Sequence, residues 1–213
     1  ILKPQGVVTM EFPHLMQLVD NNQFDTIYHE HFSYLSLHTV KQIFAAQGLI
    51  LFDVEQLPTH GGSLRIFARH AEDESKPVGD RVGALLELEA AKGMTGLAYY
   101  NGFQEKALRV KLDLLSYLIE QKRLGKKVAA YGAAAKGNTL LIFCGVKNDL
   151  VEFVVDANPN KQNKFLPASH IPVVNEAYLR EQRPDVVLIL PWNLQEEVKQ
   201  QLHYIREWGG VFV

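Results

Sequence analysis

From residue 125 to the end, short apolar runs alternate with helical stretches, and no other feature limits the fold of this chain so tightly. The runs are VAAYG at 128–132, LVEFVVD at 150–156, IPVV at 171–174, DVVLILP at 185–191 and GVFV at 210–213. Runs that stay apolar through successive positions belong to strands covered on both faces. The segments between them carry helical spacing at 139–144, 175–182 and 194–207. Parallel neighbours need long crossovers, and helices supply them. The pattern predicts an α/β chain whose residues 125–213 form a five-stranded, parallel, doubly wound sheet.

Ligands of such sheets bind beyond the carboxyl ends of the strands. There the chain carries GAAAKGNT at 132–139, DANPNK at 156–161 and PWN at 191–193. Small residues ahead of a helix let the backbone approach a phosphate, and Lys136 adds positive charge. The string is not a P-loop, because Asn138 stands where that motif needs lysine, and it lacks the second glycine of G-x-G-x-x-G. Asp156 closes the second strand, where dinucleotide folds place a ribose acceptor. Two readings stay open: a nucleotide site, or a small-residue turn that permits tight packing.

Ahead of residue 125 the pattern differs. VVTMEF at 7–12 reads as a strand stopped by Pro13, with His14 just beyond it. Segments 49–57 and 63–69 are rich in strand formers and are joined by Pro58-Thr59-His60-Gly61-Gly62, a hairpin-type connection. His60 is a candidate ligand contact, whereas Arg65 reads as a surface arginine. Ser36 is expected to cap a helix over 37–47 that buries Leu37, Val40, Ile43 and Phe44, with Gly48 as its stop. AEDESKPVGD at 71–80 is a surface connector, followed by helical spacing at 81–92 and 97–124. Three regions result: 1–70, a helical connector at 71–124, and the sheet at 125–213.

Within the first region, FDTIYHEHF at 24–32 concentrates chemistry. Tyr28, His29, Glu30 and His31 can all take part in proton transfer or hydrogen bonding, and Ile27 and Phe32 bracket them. Such a mixture suggests a pocket floor with apolar walls and few polar groups. An imidazole titrates near neutrality, a carboxylate orients it, and a phenol donates to an oxyanion. An extended stretch would pair Tyr28 with Glu30 on one face, and a helical one would pair Tyr28 with His31. Satisfied polar groups at a domain edge, or a metal on His29, Glu30 and His31, are the alternatives. The spacing lacks the H-E-x-x-H pattern of zinc sites.

Composition excludes other classes. A formal net charge of −2 argues against non-specific nucleic-acid binding. The single cysteine, Cys144, sits in the apolar run LLIFCG, so it reads as buried filler in a protein of the reducing cytoplasm. No apolar run is long enough to span a membrane. The start at Ile1, followed by a turn over Pro4 and Gly6, reads as a piece of a longer protein.

EFPHL, FDTIYHEHFSYLS, LPTHGGSLRIFARH and VAAYGAAAKGNTLL together resemble the C-terminal half of the sugar C-methyltransferases, enzymes that use S-adenosylmethionine to methylate a carbon of a nucleotide-linked keto sugar in deoxysugar biosynthesis. The resemblance covers essentially the whole chain. It implies that residues 1–70 end a class I methyltransferase sheet, including its antiparallel pair, and that 125–213 form a Rossmann-like domain. It makes His31 the general base, Tyr28 the group that polarises the sugar, and Glu30 the group that orients them. Lys136, Asn138 and Asn158 become contacts to the nucleotide diphosphate, and His60, singled out above on its loop position, stays a candidate substrate contact. The loop that holds S-adenosylmethionine and the zinc cysteines of the family fall upstream of this sequence. No metal ligand set is implied within it. An NAD-dependent oxidoreductase domain and a nucleotide-sugar binding module without catalysis are the alternative functions.

Overall fold

A computed structural model describes residues 1–213, which divide into two compact units. One comprises Ile1–Phe24 and His31–Glu105, the other Asp25–Glu30 and Lys106–Val213.

The first unit is built on three antiparallel strands, β1 (Val8–Pro13), β2 (Leu49–Leu57) and β3 (Ser63–His70), in the order β1-β3-β2. Strand alternation turns Leu64, Ile66 and Ala68 inward. A register shift between Leu51 and Asp53 changes the face of β2, so Val54 rather than Asp53 joins the core. Asp53 then points outward to a bidentate pair with Arg81. The helices are α1 (Leu15–Asp20), α2 (Leu37–Ala45) and α3 (Asp80–Ala91), and Leu37, Val40, Val82 and Leu85 pack on the sheet. The Ser36 hydroxyl caps α2 by accepting the Thr39 N–H at 3.1 Å. Ile43, expected in the buried stripe, is exposed. Three residues on from Val40 fall about 60° short of a full turn, and Phe44, about 40° past it, takes the inner place.

The helix expected over 97–124 is broken into a 3₁₀ turn (Leu97–Tyr100) and α4 (Phe103–Arg123), because Gly102 takes a left-handed φ of 81°. The C-terminal part of α4 buries Leu118 in the second unit. That unit holds a six-stranded sheet: β4 (Val128–Tyr131), β5 (Phe153–Val155), β6 (Lys164–Phe165), β7 (Pro172–Val174), β8 (Val186–Ile189) and β9 (Val211–Phe212), ordered β6-β7-β5-β4-β8-β9. Each expected apolar run contains one of the parallel strands. The sheet is mixed rather than purely parallel, since β6 joins the edge antiparallel to β7. Both residues of β6 are exposed, so no apolar pattern marks them in the sequence.

Alternation along β4 sends Val128 and Ala130 to one core and Ala129 and Tyr131 to the other. The first core is covered by α4 and α5 (Ala135–Cys144), the second by α6 (Glu176–Gln182), α7 (Gln195–Gln201) and the 3₁₀ segment His203–Trp208. Cys144 is buried in the first, where desolvation pushes its thiol up to about 11, as suits an inert filler. No helix is long and apolar enough to cross a membrane.

Candidate functional site

The stretch at 24–32 is neither extended nor helical. A 3₁₀ turn covers Phe24–Thr26, a turn follows, and the chain runs irregularly to Leu35. Phe24, Asp25 and Thr26 are buried, whereas Ile27 is 47% exposed and Phe32 94%. The apolar bracket read from the sequence is therefore not formed by Ile27 and Phe32. The tight 3₁₀ turn carries residues 24–26 inward and leaves position 27 outside. Tyr28 is half-buried, its N–H bonded to the Thr26 carbonyl at 3.1 Å and its ring edge-on to His29. Glu30 is exposed and His31 half-buried. The unit boundaries fall within this stretch: Tyr28 and Glu30 belong to the second unit, His31 to the first.

In the second unit a cavity of about 350 Å³ is walled by Tyr28 and His29, by the 133–135 turn, and by Asn138 and Leu166. The Asn138 side-chain oxygen is buried in this region without a protein partner. Lys136 stands in the first turn of α5, its ammonium 5.0 Å from the centre of the Trp192 ring. Burial lowers the Lys136 pKa against the pull of Asp25. The Trp192 indole N–H donates to Asp25 Oδ2 at 2.7 Å. Asn158 lies on the surface in a turn of its own, its Oδ1 accepting the Asn160 N–H at 3.0 Å.

The glycines of the small-residue turn serve packing. A Cβ on Gly132, whose φ is 97°, would meet Pro191 Cδ at 2.6 Å, and one on Gly137 would meet Leu190 Cβ at 2.6 Å. Asp156 is likewise committed inside the protein. Its carboxylate accepts the Ala133 and Asn158 N–H groups, each at 2.8 Å, and pairs with Lys161 at 3.2 Å. A ribose diol would have to displace those donors, which counts against the dinucleotide reading.

In the first unit His60 is exposed with φ 56°, in the 3₁₀ turn Thr59–Gly61. The space beside Gly62 is filled by Gln17, whose Cγ lies 2.5 Å from where a Cβ would stand. Arg65 is held by Glu11 at 2.9 Å and Glu55 at 3.5 Å across the sheet. His14 and Glu89 are each 1% exposed and joined at 2.7 Å. Glu89 also accepts the Leu37 and His38 N–H groups at 2.7 and 2.8 Å, so it holds the start of α2. Backbone bonds from His14 to Gly62 and from Leu15 to Leu35 tie the same point to the hairpin and to the end of the 24–35 stretch. No group of three or more His, Cys, Asp or Glu side chains is gathered to hold a metal.

Sequence reasoning passed over Asp25, Trp192 and Glu89. The first two lie inside strings already singled out, where an acid beside Phe24 and a tryptophan at a strand end were the available signals. LELEAAKG around Glu89 offers none, because alternating Glu and Leu read as a solvated helix face.

The family described as "C-methyltransferase C-terminal domain" matches residues 58–213. The chain is 36% identical over 215 residues to "C-methyltransferase NovU" of Streptomyces niveus, with 100% of this chain and 50% of that protein covered. The chain thus spans about half the length of the curated relative it matches. A solved glutamyl-tRNA reductase from Methanopyrus kandleri is similar over 85% of this chain and 57% of its own, at 16% identity and a TM-score of 0.20, a likeness too slight to carry an argument.

Proposed function

The chain belongs to the C-methyltransferase C-terminal domain family, and from that premise we propose that it is part of an S-adenosylmethionine-dependent C-methyltransferase acting on a nucleotide-linked keto sugar. His31 removes the proton from the carbon beside the keto group. The C–H electron pair moves into the bond to the carbonyl carbon, and the carbonyl oxygen becomes an enolate oxygen. The Tyr28 hydroxyl donates to that growing negative charge, and Glu30 orients the pair. The nucleotide end is held in the second unit, with Lys136, Asn138 and Asn158 as contacts, and His60 is a further substrate contact.

The observation that carries this reading beyond the family match is the cavity in the second unit. It is large enough for part of a small ligand, it is walled by Tyr28 of the chemical stretch, and it holds an amide oxygen with no protein partner. Two features of the same unit count against the methyl donor there. The glycines of its small-residue turn are occupied by Pro191 and Leu190, and Asp156 is bonded internally. We therefore place the loop that holds S-adenosylmethionine outside residues 1–213.

Exchange of the sugar's α-proton with solvent tests the base. In the parent enzyme, His31→Asn is expected to lower that exchange on the order of 10²–10⁴-fold while sugar binding persists. Exchange at the wild-type rate would remove His31 from the role. Calorimetric titration of this chain with thymidine diphosphate separates a catalytic partner from a passive one: binding here together with loss of exchange supports the enzyme. Binding here with exchange untouched by His31→Asn favours a nucleotide-sugar binding module.

A further inference from the structure

Asp25 is 5% exposed, and its position is unusual. In the sheet of the second unit, β4 is flanked by β5 and β8, so strand order reverses around it and a crevice opens beyond the carboxyl ends of β4 and β8. Lys136 stands on the β4 side of that crevice and Trp192 on the β8 side. The carboxylate bonded to Trp192 comes from 167 residues earlier in the chain. Burying an acid is costly unless its bonds repay desolvation. A hydrophobic side chain would pack a small turn at less cost, so the carboxylate is better explained by what it holds than by stability.

The stretch that follows Asp25 reaches the cavity. Tyr28 and His29 come three and four residues after Asp25 and form a wall of the cavity. His29 is exposed and Tyr28 half-buried. We propose that Asp25 is a positioning residue: its carboxylate, hooked on the Trp192 indole N–H beside Lys136, fixes where residues 28–30 stand at the cavity. The inference rests on the proposed function for the chemistry it serves, but the hook is testable without it.

Amide hydrogen exchange of this chain provides the first test. In Asp25→Ala, the amides of residues 27–30 are expected to exchange about tenfold or more faster, while those of β4 and β8 keep their protection. Asp25→Asn keeps an oxygen able to accept from the indole and is expected to restore most of the protection. Trp192→Phe removes the donor but keeps a ring, and its effect should not add to that of Asp25→Ala. Unchanged exchange at 27–30 in Asp25→Ala, or additive effects of the two substitutions, would overturn the hook. The second test is kinetic. In the parent enzyme, Asp25→Ala should lower the turnover of α-proton exchange on the order of tenfold with KM nearly constant, because misplacement costs rate more than binding. Unaltered turnover would overturn the positioning role. If His31→Asn leaves α-proton exchange intact, the assignment of the base fails, and the amide result still decides whether Asp25 holds the stretch.

Discussion

Glu89 in the first unit and Asp25 in the second are both buried carboxylates, yet their surroundings push them in opposite directions. Burial alone would raise the pKa of Glu89, but His14 and the His38 and Leu37 N–H groups bond its two oxygens and hold it below the usual carboxylate range. Burial also acts on Asp25, and there it wins. The Trp192 indole, the Lys136 charge and the local N–H groups of Asp25 and Thr26 do not offset it, so the pKa is raised. The number and charge of the donors, more than depth, decide whether a buried acid stays ionised. The surroundings of Glu89 thus favour its ionised form at the start of α2, while those of Asp25 disfavour it.

Removing Glu89 should have the largest consequence. Glu89→Ala leaves His14 and two helix N–H groups buried without an acceptor, and urea denaturation is expected to show a loss of about 3–5 kcal/mol. A loss below about 1 kcal/mol would mean that water replaces the carboxylate and that the contrast with Asp25 is only one of geometry.

Acid titration sharpens the comparison, because the two groups have opposite signs. Glu89 has a folded pKa below its unfolded value of 4.5, so its contribution is present above that value and is lost as pH falls through the folded one. Asp25 has a folded pKa above its unfolded value of 3.8, so ionising it removes stability as pH rises from there through the folded value. Denaturation of the wild type against Glu89→Gln should show an advantage that shrinks on acidification. Against Asp25→Asn it should show one that shrinks as pH rises. Parallel curves would break the distinction.

The smallest effect is expected from Asp25→Ala on global stability, about 1 kcal/mol or less, since the lost hydrogen bond is offset by the acid no longer buried. A loss as large as that of Glu89→Ala, read by the same denaturation, would make Asp25 a structural anchor and weaken its positioning role.

Local signals carried much of the fold. The five apolar runs each contain a parallel strand, Ser36 caps α2, and the strands at 49–57 and 63–70 form an antiparallel pair. In each case the information lies in neighbouring residues: side-chain spacing, a capping hydroxyl, a hairpin connection. β6 was not legible, because two exposed residues pair with β7 through backbone groups that no side chain reports. Ile27 and Phe32 read as pocket walls on hydrophobicity alone, but backbone direction at the 3₁₀ turn left them outside. The residue types of the candidate site were legible, and their environments were not.

By itself the sequence determined the alternation of strand and helix, the cap of α2, the buried fate of Cys144 and the family, since all of these rest on residue type and spacing along the chain. Tertiary structure alone decided that Glu89 meets His14 from 75 residues away and that Asp25 meets Trp192 from 167. It also decided that Gly132 and Gly137 make room for Pro191 and Leu190. These are contacts between surfaces distant in the chain. Whether a carboxylate is stabilised or strained there depends on the donors that packing brings to it, which no local pattern encodes.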